Sequence, residues 1–225
     1  MKKMYVVGSD LAKEQFKQHF VLSRFKPNFV VVVGGHGTLF KSEKRYPGVP
    51  KLFLHHVSPD KKLVNDIAQK IKNKQFFIAE LPKLTINVGN HKASALNDVN
   101  IQCRHPQAIR YQVFADEKPL FVDNNGSAKT IIGDGVVIAT PYGSSAYFKS
   151  ITRNTFSKGI GIAPNNPMDE LNHVIIPSNS KVEIKIMRGP GSLFYDSEKK
   201  GIKLDSNYSI KIKAGDLNAK LIQLK

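Results

Sequence analysis

Only one cysteine, Cys103, occurs in 225 residues, and tryptophan is absent. A lone thiol cannot build a disulfide framework or a multi-cysteine zinc site. No run approaches the roughly 18 apolar residues that would span a bilayer, so no membrane-spanning helix is expected. Behind Met1-Lys2-Lys3-Met4 there is no apolar stretch of the kind a secretory leader needs, so none is expected and the cytoplasm is the default location. Acidic side chains are also scarce, 18 against 34 basic ones, for a net charge of +16. The excess is spread along the chain and is carried by 28 lysines and 6 arginines. Readers of nucleic acid lean on the bidentate geometry of arginine. The chain also lacks a basic helix, a zinc motif and any aromatic-basic strand pattern, so nucleic acid is not the expected partner. The charge fits a solvated lysine surface or, as a functional reading, an anionic small ligand such as a nucleotide.

Hydrophobic residues make up 41% of the chain, enough for a core. The first 75 or so residues alternate strand and helix. Met4–Gly8 reads as a short buried strand. A helix capped by Ser9 or Asp10 follows, carrying Leu11, Ala12, Phe16 and Phe20. Phe29–Val33 is a β-branched run without alternation, as in a parallel strand covered on both faces. Leu52–Leu54 reads as a third strand. Ser58-Pro59-Asp60 reads as a helix start, with Ser58 as cap and Pro59 in the first turn, ahead of a stripe of Leu63, Ile67 and Ile71. From Phe76 onward the pattern becomes many short strands, among them Leu84–Val88, Leu96–Cys103, Ile109–Phe114, Val136–Ala139 and Val182–Met187. Turn signals at Asn124-Asn125-Gly126 and Gly189-Pro190-Gly191 separate them. One helix is expected near Ser144–Arg153. The expected fold is an α/β domain with a parallel, Rossmann-like sheet over residues 1–80, then a β-rich, sandwich-like domain over 81–225, with the C-terminal strand free to return to the first.

Three segments stand out chemically. Gly34-Gly35-His36-Gly37-Thr38 follows the buried strand directly. Its glycines let a backbone turn sharply and aim N–H groups at phosphate oxygens, although it is neither a P-loop nor a GxGxxG fingerprint. A histidine in such a loop could act as a general base near neutral pH. Asp134-Gly135 leads through four apolar residues to Thr140-Pro141-Tyr142-Gly143-Ser144-Ser145-Ala146-Tyr147, a strand that runs into a hydroxyl-rich helix start. A helix start of this kind offers N–H donors and small residues that leave room for a flat base. The third segment, Asn97-Asp98, says nothing by itself. His55-His56 ends a strand, where adjacent side chains are expected on opposite faces, so it is not expected to bind metal.

Taken in order, GGHGT at 34–38, Asn97-Asp98 and DGVVIATPYGSSAY at 134–147 resemble the NAD kinase family. Its members carry a GGDGT loop, an Asn-Glu pair and a D-G-x-x-x-x-T-P-x-G-S/T-x-A-Y segment. The resemblance implies a two-domain NAD-kinase-like architecture. It also implies phosphorylation of the adenosine ribose 2′-hydroxyl of NAD to give NADP, with ATP or polyphosphate as donor and Mg²⁺ or Mn²⁺ as the metal. NAD(H) and ATP are then the small-molecule partners, and a homo-dimer or tetramer is implied. No metal ligand can be named. Gly34, Gly35, Gly37 and Thr38 would line the phosphates. Asn97 and Asp98 would hold the adenosine part of NAD, and Asp134 a ribose or the nicotinamide side. Ser145, Ala146 and Tyr147 would shape the pocket for the base, and Ser150, one turn after Ala146, could face it too. His36 would be the catalytic base.

The chain departs from the family pattern in three places. His36 stands where the family has aspartate, Asp98 stands where it has glutamate, and Tyr46–His56 lacks a G-x-L-G-F-like segment. Two alternatives follow: a homologue that binds NAD or an adenosine nucleotide without turnover, and a superfamily kinase that acts on another hydroxyl.

Overall fold

The computed structural model describes residues 3–225, which form two units: the residues up to Leu81 together with Leu217–Lys225, and Pro82–Asp216. In the first unit β1 (Lys3–Val7), α1 (Asp10–Lys17), β2 (Val21–Leu22), β3 (Phe29–Gly34), α2 (His36–Arg45), β4 (Lys51–His55), α3 (Lys61–Lys72) and β5 (Phe76–Leu81) follow one another. The strands β2, β1, β3 and β4 pair in parallel, in that order. The valines of β3 are buried at every position because the strand is covered on both faces. Val31 and Val33 join Met4, Val6, Leu52 and Leu54 in a core that Ala12 and Phe16 of α1 and Val64, Ile67, Ala68 and Ile71 of α3 complete.

The helix starts follow local chemistry. Ser9 caps α1 by accepting the Ala12 N–H at 3.1 Å. The start of α3 lies two residues later than the sequence suggested. Asp60, not Ser58, is the cap, accepting the Leu63 N–H at 2.8 Å, and Pro59 stays outside the helix. A carboxylate competes for the cap as well as a hydroxyl does, and here it decided the position. Helix α2 was not anticipated, because its first turn is the glycine-rich motif itself.

The second unit contains β6 (Leu84–Val88), β7 (His91–Ala95), β8 (Asp98–Cys103), β9 (Ile109–Ala115), β10 (Lys118–Pro119), β11 (Ile131–Gly133), β12 (Gly135–Ala139), α4 (Tyr147–Thr152), β13 (Ile160–Asn165), β14 (Val174–Ile176), β15 (Val182–Arg188), β16 (Gly191–Tyr195), β17 (Ile202–Leu204) and β18 (Ser209–Ala214). Two antiparallel sheets result. One runs β10-β9-β15-β18-β6-β7 with β11 beside β9, and the other runs β14-β13-β12-β8-β16-β17. Alternate residues of both sheets, such as Ile184, Ile210 and Ile86 of the first and Ile101, Ile138 and Leu193 of the second, share one core. The strand expected over Leu96–Cys103 is β8 alone, which begins at Asp98 after the Leu96-Asn97 turn, and β7 before that turn was not anticipated. The single helix expected near Ser144 is a short 3-10 turn, Gly143–Ser145, followed by α4. The chain then returns to the first unit as β19 (Ala219–Leu224), parallel to β4 and antiparallel to β5.

A buried ion pair ties α2 to β4. Lys51 is fully buried, and its Nζ donates to Glu43 and to the carbonyls of Tyr46 (2.6 Å) and Val49 (2.8 Å). Glu43 also accepts the Gly48 N–H at 3.1 Å. Replacing Lys51 with Met leaves a buried carboxylate without its cation and is expected to cost about 3–5 kcal/mol. The double variant Lys51→Met with Glu43→Leu is expected to recover most of that loss. Urea midpoints of the two variants check it, and equal losses in both would refute the pair's role.

Candidate functional site

In the first unit, β3 ends at Gly34, and Gly35 caps α2 without any side-chain hydrogen bond. Gly34 and Gly35 alone form the turn, while His36, Gly37 and Thr38 are the first turn of the ten-residue α2. The start of this helix therefore carries an exposed imidazole and a positive dipole end, with no carboxylate in the turn. Strand register sets Gly34 of β3 beside His55 of β4. His55 and His56 do not diverge as expected. His56 takes a left-handed backbone, φ 52°, which swings its ring toward His55, with centroids 4.3 Å apart. His36 and His55 are 4.5 Å apart, and Phe53 packs against both, at 5.4 Å and 5.1 Å. Partial desolvation, and then the charges of His55 and His56, hold His36 below the usual imidazole range.

In the second unit, Asn97-Asp98 and the 134–147 segment come together. Strands β8 and β12 are antiparallel neighbours, with Asp98 opposite Ala139 and Gln102 opposite Gly135. A Cβ on Gly135 would lie 1.9 Å from the Ile101 carbonyl oxygen, and one on Gly143 would lie 2.0 Å from that of Asn97. Only glycine allows those approaches. The Thr140 hydroxyl donates to the Leu96 carbonyl at 2.7 Å and accepts the Gly143 N–H at 3.0 Å. The Thr140 N–H donates to the Asn97 carbonyl.

Asp196, just after β16, holds the same turn from the other side. Its carboxylate accepts the N–H groups of Leu96 (3.0 Å) and Asn97 (2.7 Å), and its own N–H donates to the Asp98 carbonyl. The Asn97 amide donates to the Asp98 carboxylate at 2.7 Å. Asp98 is buried. Burial, and then the charge of Asp196, push its carboxyl up to about 6. Burial likewise pushes Asp196 up to about 6, against the three backbone N–H groups and Lys83, which favour its charged form. Nothing local in the sequence marked Asp196, because its partners lie about a hundred residues away.

Asp134 lies at the opposite end of β12 and accepts from the Asn166 amide at 3.1 Å. Tyr147, at the start of α4, accepts from the Asn165 amide at 3.1 Å. Asn165 and Asn166, at the end of β13, therefore link two predicted site residues that are thirteen positions apart, and the sequence reading had not singled them out. Ser145 and Ala146 are exposed in the turn before α4. Ser150 is exposed on the same helical face as Ala146, but its hydroxyl donates back to the Tyr147 carbonyl at 2.7 Å.

A resident Mg²⁺ or Mn²⁺ does not fit these residues. Among the described residues no three His, Cys, Asp or Glu side chains converge so as to hold a metal ion. The α2 turn offers imidazoles where such ions demand hard oxygen. Among the described residues no helix is long and apolar enough to cross a membrane.

Comparison with known proteins gives this geometry its context. The family profile of the ATP-NAD kinase C-terminal domain matches residues 96–224. An NAD kinase from Sulfurisphaera tokodaii is 28% identical over 179 residues, covering 74% of this chain and 67% of its own. One from Thermotoga maritima is 28% identical over 208 residues, covering 80% and 75%. The crystal structure of yeast NADH kinase complexed with NADH superposes with a TM-score of 0.82 at 16% identity, covering all of this chain and 84% of the other. That of an NAD kinase from Archaeoglobus fulgidus in complex with ATP gives 0.77 at 16% identity, with 100% and 94% covered. The fold is that of NAD kinases, and the chain belongs to the ATP-NAD kinase family.

The carboxylate pair makes a signed prediction. Its folded pKa values of about 6 stand above the ordinary 3.8, so its contribution to stability is full below 3.8 and is lost as pH rises through 6. Asp98→Asn removes one buried charge. It is expected to raise stability by about 1–2 kcal/mol near pH 8 and to do little near pH 4. Urea midpoints at the two pH values test this, and a loss at pH 8 would contradict the pairing.

Proposed function

We propose that the protein transfers the terminal phosphoryl group of ATP to the adenosine ribose 2′-hydroxyl of NAD, giving NADP and ADP. The observation that carries this reading is the convergence of Asn97-Asp98 with Ala139–Gly143 where β8 pairs with β12, joining the two motifs that the resemblance assigns to the dinucleotide. In this reading Asn97 and Asp98 hold the adenosine ribose, and Asp134 binds a ribose or the nicotinamide side. Ser145, Ala146, Tyr147 and Ser150 line the place of the base. Gly34, Gly35, Gly37 and Thr38 present the first turn of α2 to the phosphates. A ring nitrogen of His36 takes the hydroxyl proton as the ribose oxygen bonds to phosphorus and the bond to ADP breaks.

Its lowered pKa supports that role, because a base must be unprotonated near neutrality. Mg²⁺ or Mn²⁺ would come bound to ATP rather than to these residues and would offset the charge of its phosphates, and inorganic polyphosphate is the alternative donor. NADH is the alternative acceptor, in line with the yeast NADH kinase that shares the fold. Location in the cytoplasm and assembly into a dimer or tetramer belong to the same reading and rest on composition and family resemblance.

NADP formation by purified protein with NAD, ATP and Mg²⁺ tests the reading. Turnover is expected to be flat above about pH 7 and to fall as pH drops through the lowered pKa of His36, below 6.5. His36→Ala is expected to lose about 10²–10⁴ in rate. If only His36→Asp turns over, the natural protein is a binder with silenced chemistry. No product from any variant would reject the kinase reading.

A further inference from the structure

The cluster of His36, His55 and His56 uses more imidazoles than a single base requires. All three are exposed, and they lie around the start of α2. The His56 ring passes beside the cap residue itself, since a Cβ on Gly35 would meet its Cε1 at 3.4 Å and its Nε2 at 3.6 Å. A left-handed backbone is disfavoured for a residue with a Cβ, so the inward swing of the His56 ring is held against a local preference. The groups that face His36 include His55, His56 and the non-titrating Phe53, all from the β4 segment, and the non-titrating Phe40 from α2 itself. Both of the other imidazoles disfavour its proton.

Imidazoles packed this closely repel one another when charged. An anion reverses that balance. Each imidazolium then gives a charge-assisted N–H bond, and the dipole of α2 adds to the attraction. Neutral imidazoles, by contrast, do not repel a phosphate chain as a carboxylate would.

We propose that His55 and His56, with His36 beside them, form a proton-coupled binding site for a polyphosphate chain, carried by a nucleoside triphosphate or free as inorganic polyphosphate. This rests on the kinase reading of the α2 turn and assigns to His55 and His56 a part that reading leaves empty. They grip the chain as imidazolium ions, and His36 stays neutral.

The test is metal-free calorimetric titration with ATP and, separately, inorganic tripolyphosphate, near pH 8 and near pH 6, in two buffers of different ionisation enthalpy. Affinity is expected to rise about tenfold or more from the higher to the lower pH, with net proton uptake. The double variant His55→Gln with His56→Gln is expected to abolish the proton uptake. His55→Lys with His56→Lys is expected to bind tightly at both pH values. Thermal melting of each variant checks that it is folded. Equal behaviour of the two ligands identifies the free chain as sufficient, and a response to ATP alone identifies the nucleotide as its carrier; both support the site. A pH dependence that survives in the glutamine variant, or affinities that do not change with pH, overturns it. No step of this experiment needs NAD or turnover, so a protein that makes no NADP can still pass it, and an active kinase can fail it.

Discussion

The second unit depends on two backbone approaches closer than any side chain would permit. Gly135 lets β12 start against the Ile101 carbonyl, and Gly143 lets the following turn settle on that of Asn97. Because the backbones meet, Thr140 can divide its hydrogen bonds between the Leu96 and Asn97 carbonyls and the Gly143 N–H. The N–H groups of Leu96 and Asn97 point the other way and are taken by Asp196. The main-chain groups of a short turn are thereby satisfied from both sides, as a buried turn requires. That accounting leaves the Asn97 amide free to orient Asp98. Tyr111 contributes from the facing sheet, its buried hydroxyl donating to the Gly135 carbonyl at 2.6 Å, and burial drives its pKa far upward.

The same contacts show why some of this was legible in the sequence and some was not. The strand-helix alternation before Leu81 and the short strands after it were legible because burial imposes period and residue type, as in the all-buried valines of β3. The 134–147 segment was legible because its glycines, threonine and proline serve a geometry that tolerates few substitutes. Helix α2 was obscured because a glycine-rich stretch reads as a loop, although its N–H groups form a first helical turn. The cap of α3 was misplaced because Ser58 and Asp60 both satisfy the rule and only packing chooses between them. The Leu96-Asn97 turn at the start of the expected strand was hidden for a different reason. What holds that turn is Asp196, distant in the chain and close only after β16 pairs with β8. His55 and His56 were misjudged by applying strand alternation one residue past the end of the strand, where φ changes sign.

In the proposed reaction, a histidine at position 36 in place of the aspartate of the family motif that the sequence resembles alters more than the identity of a base. A carboxylate beside a phosphate chain repels it unless a divalent cation lies between them. A neutral imidazole removes the repulsion. The site then faces the opposite difficulty, because a histidine near phosphate tends to gain a proton and cease to be a base. The positions of His55 and His56 answer it. Charge on those two rings lowers the proton affinity of His36, the direction that their influence on it already takes. In the proposed site, binding and base catalysis, which a single histidine would set in conflict, are divided among three rings.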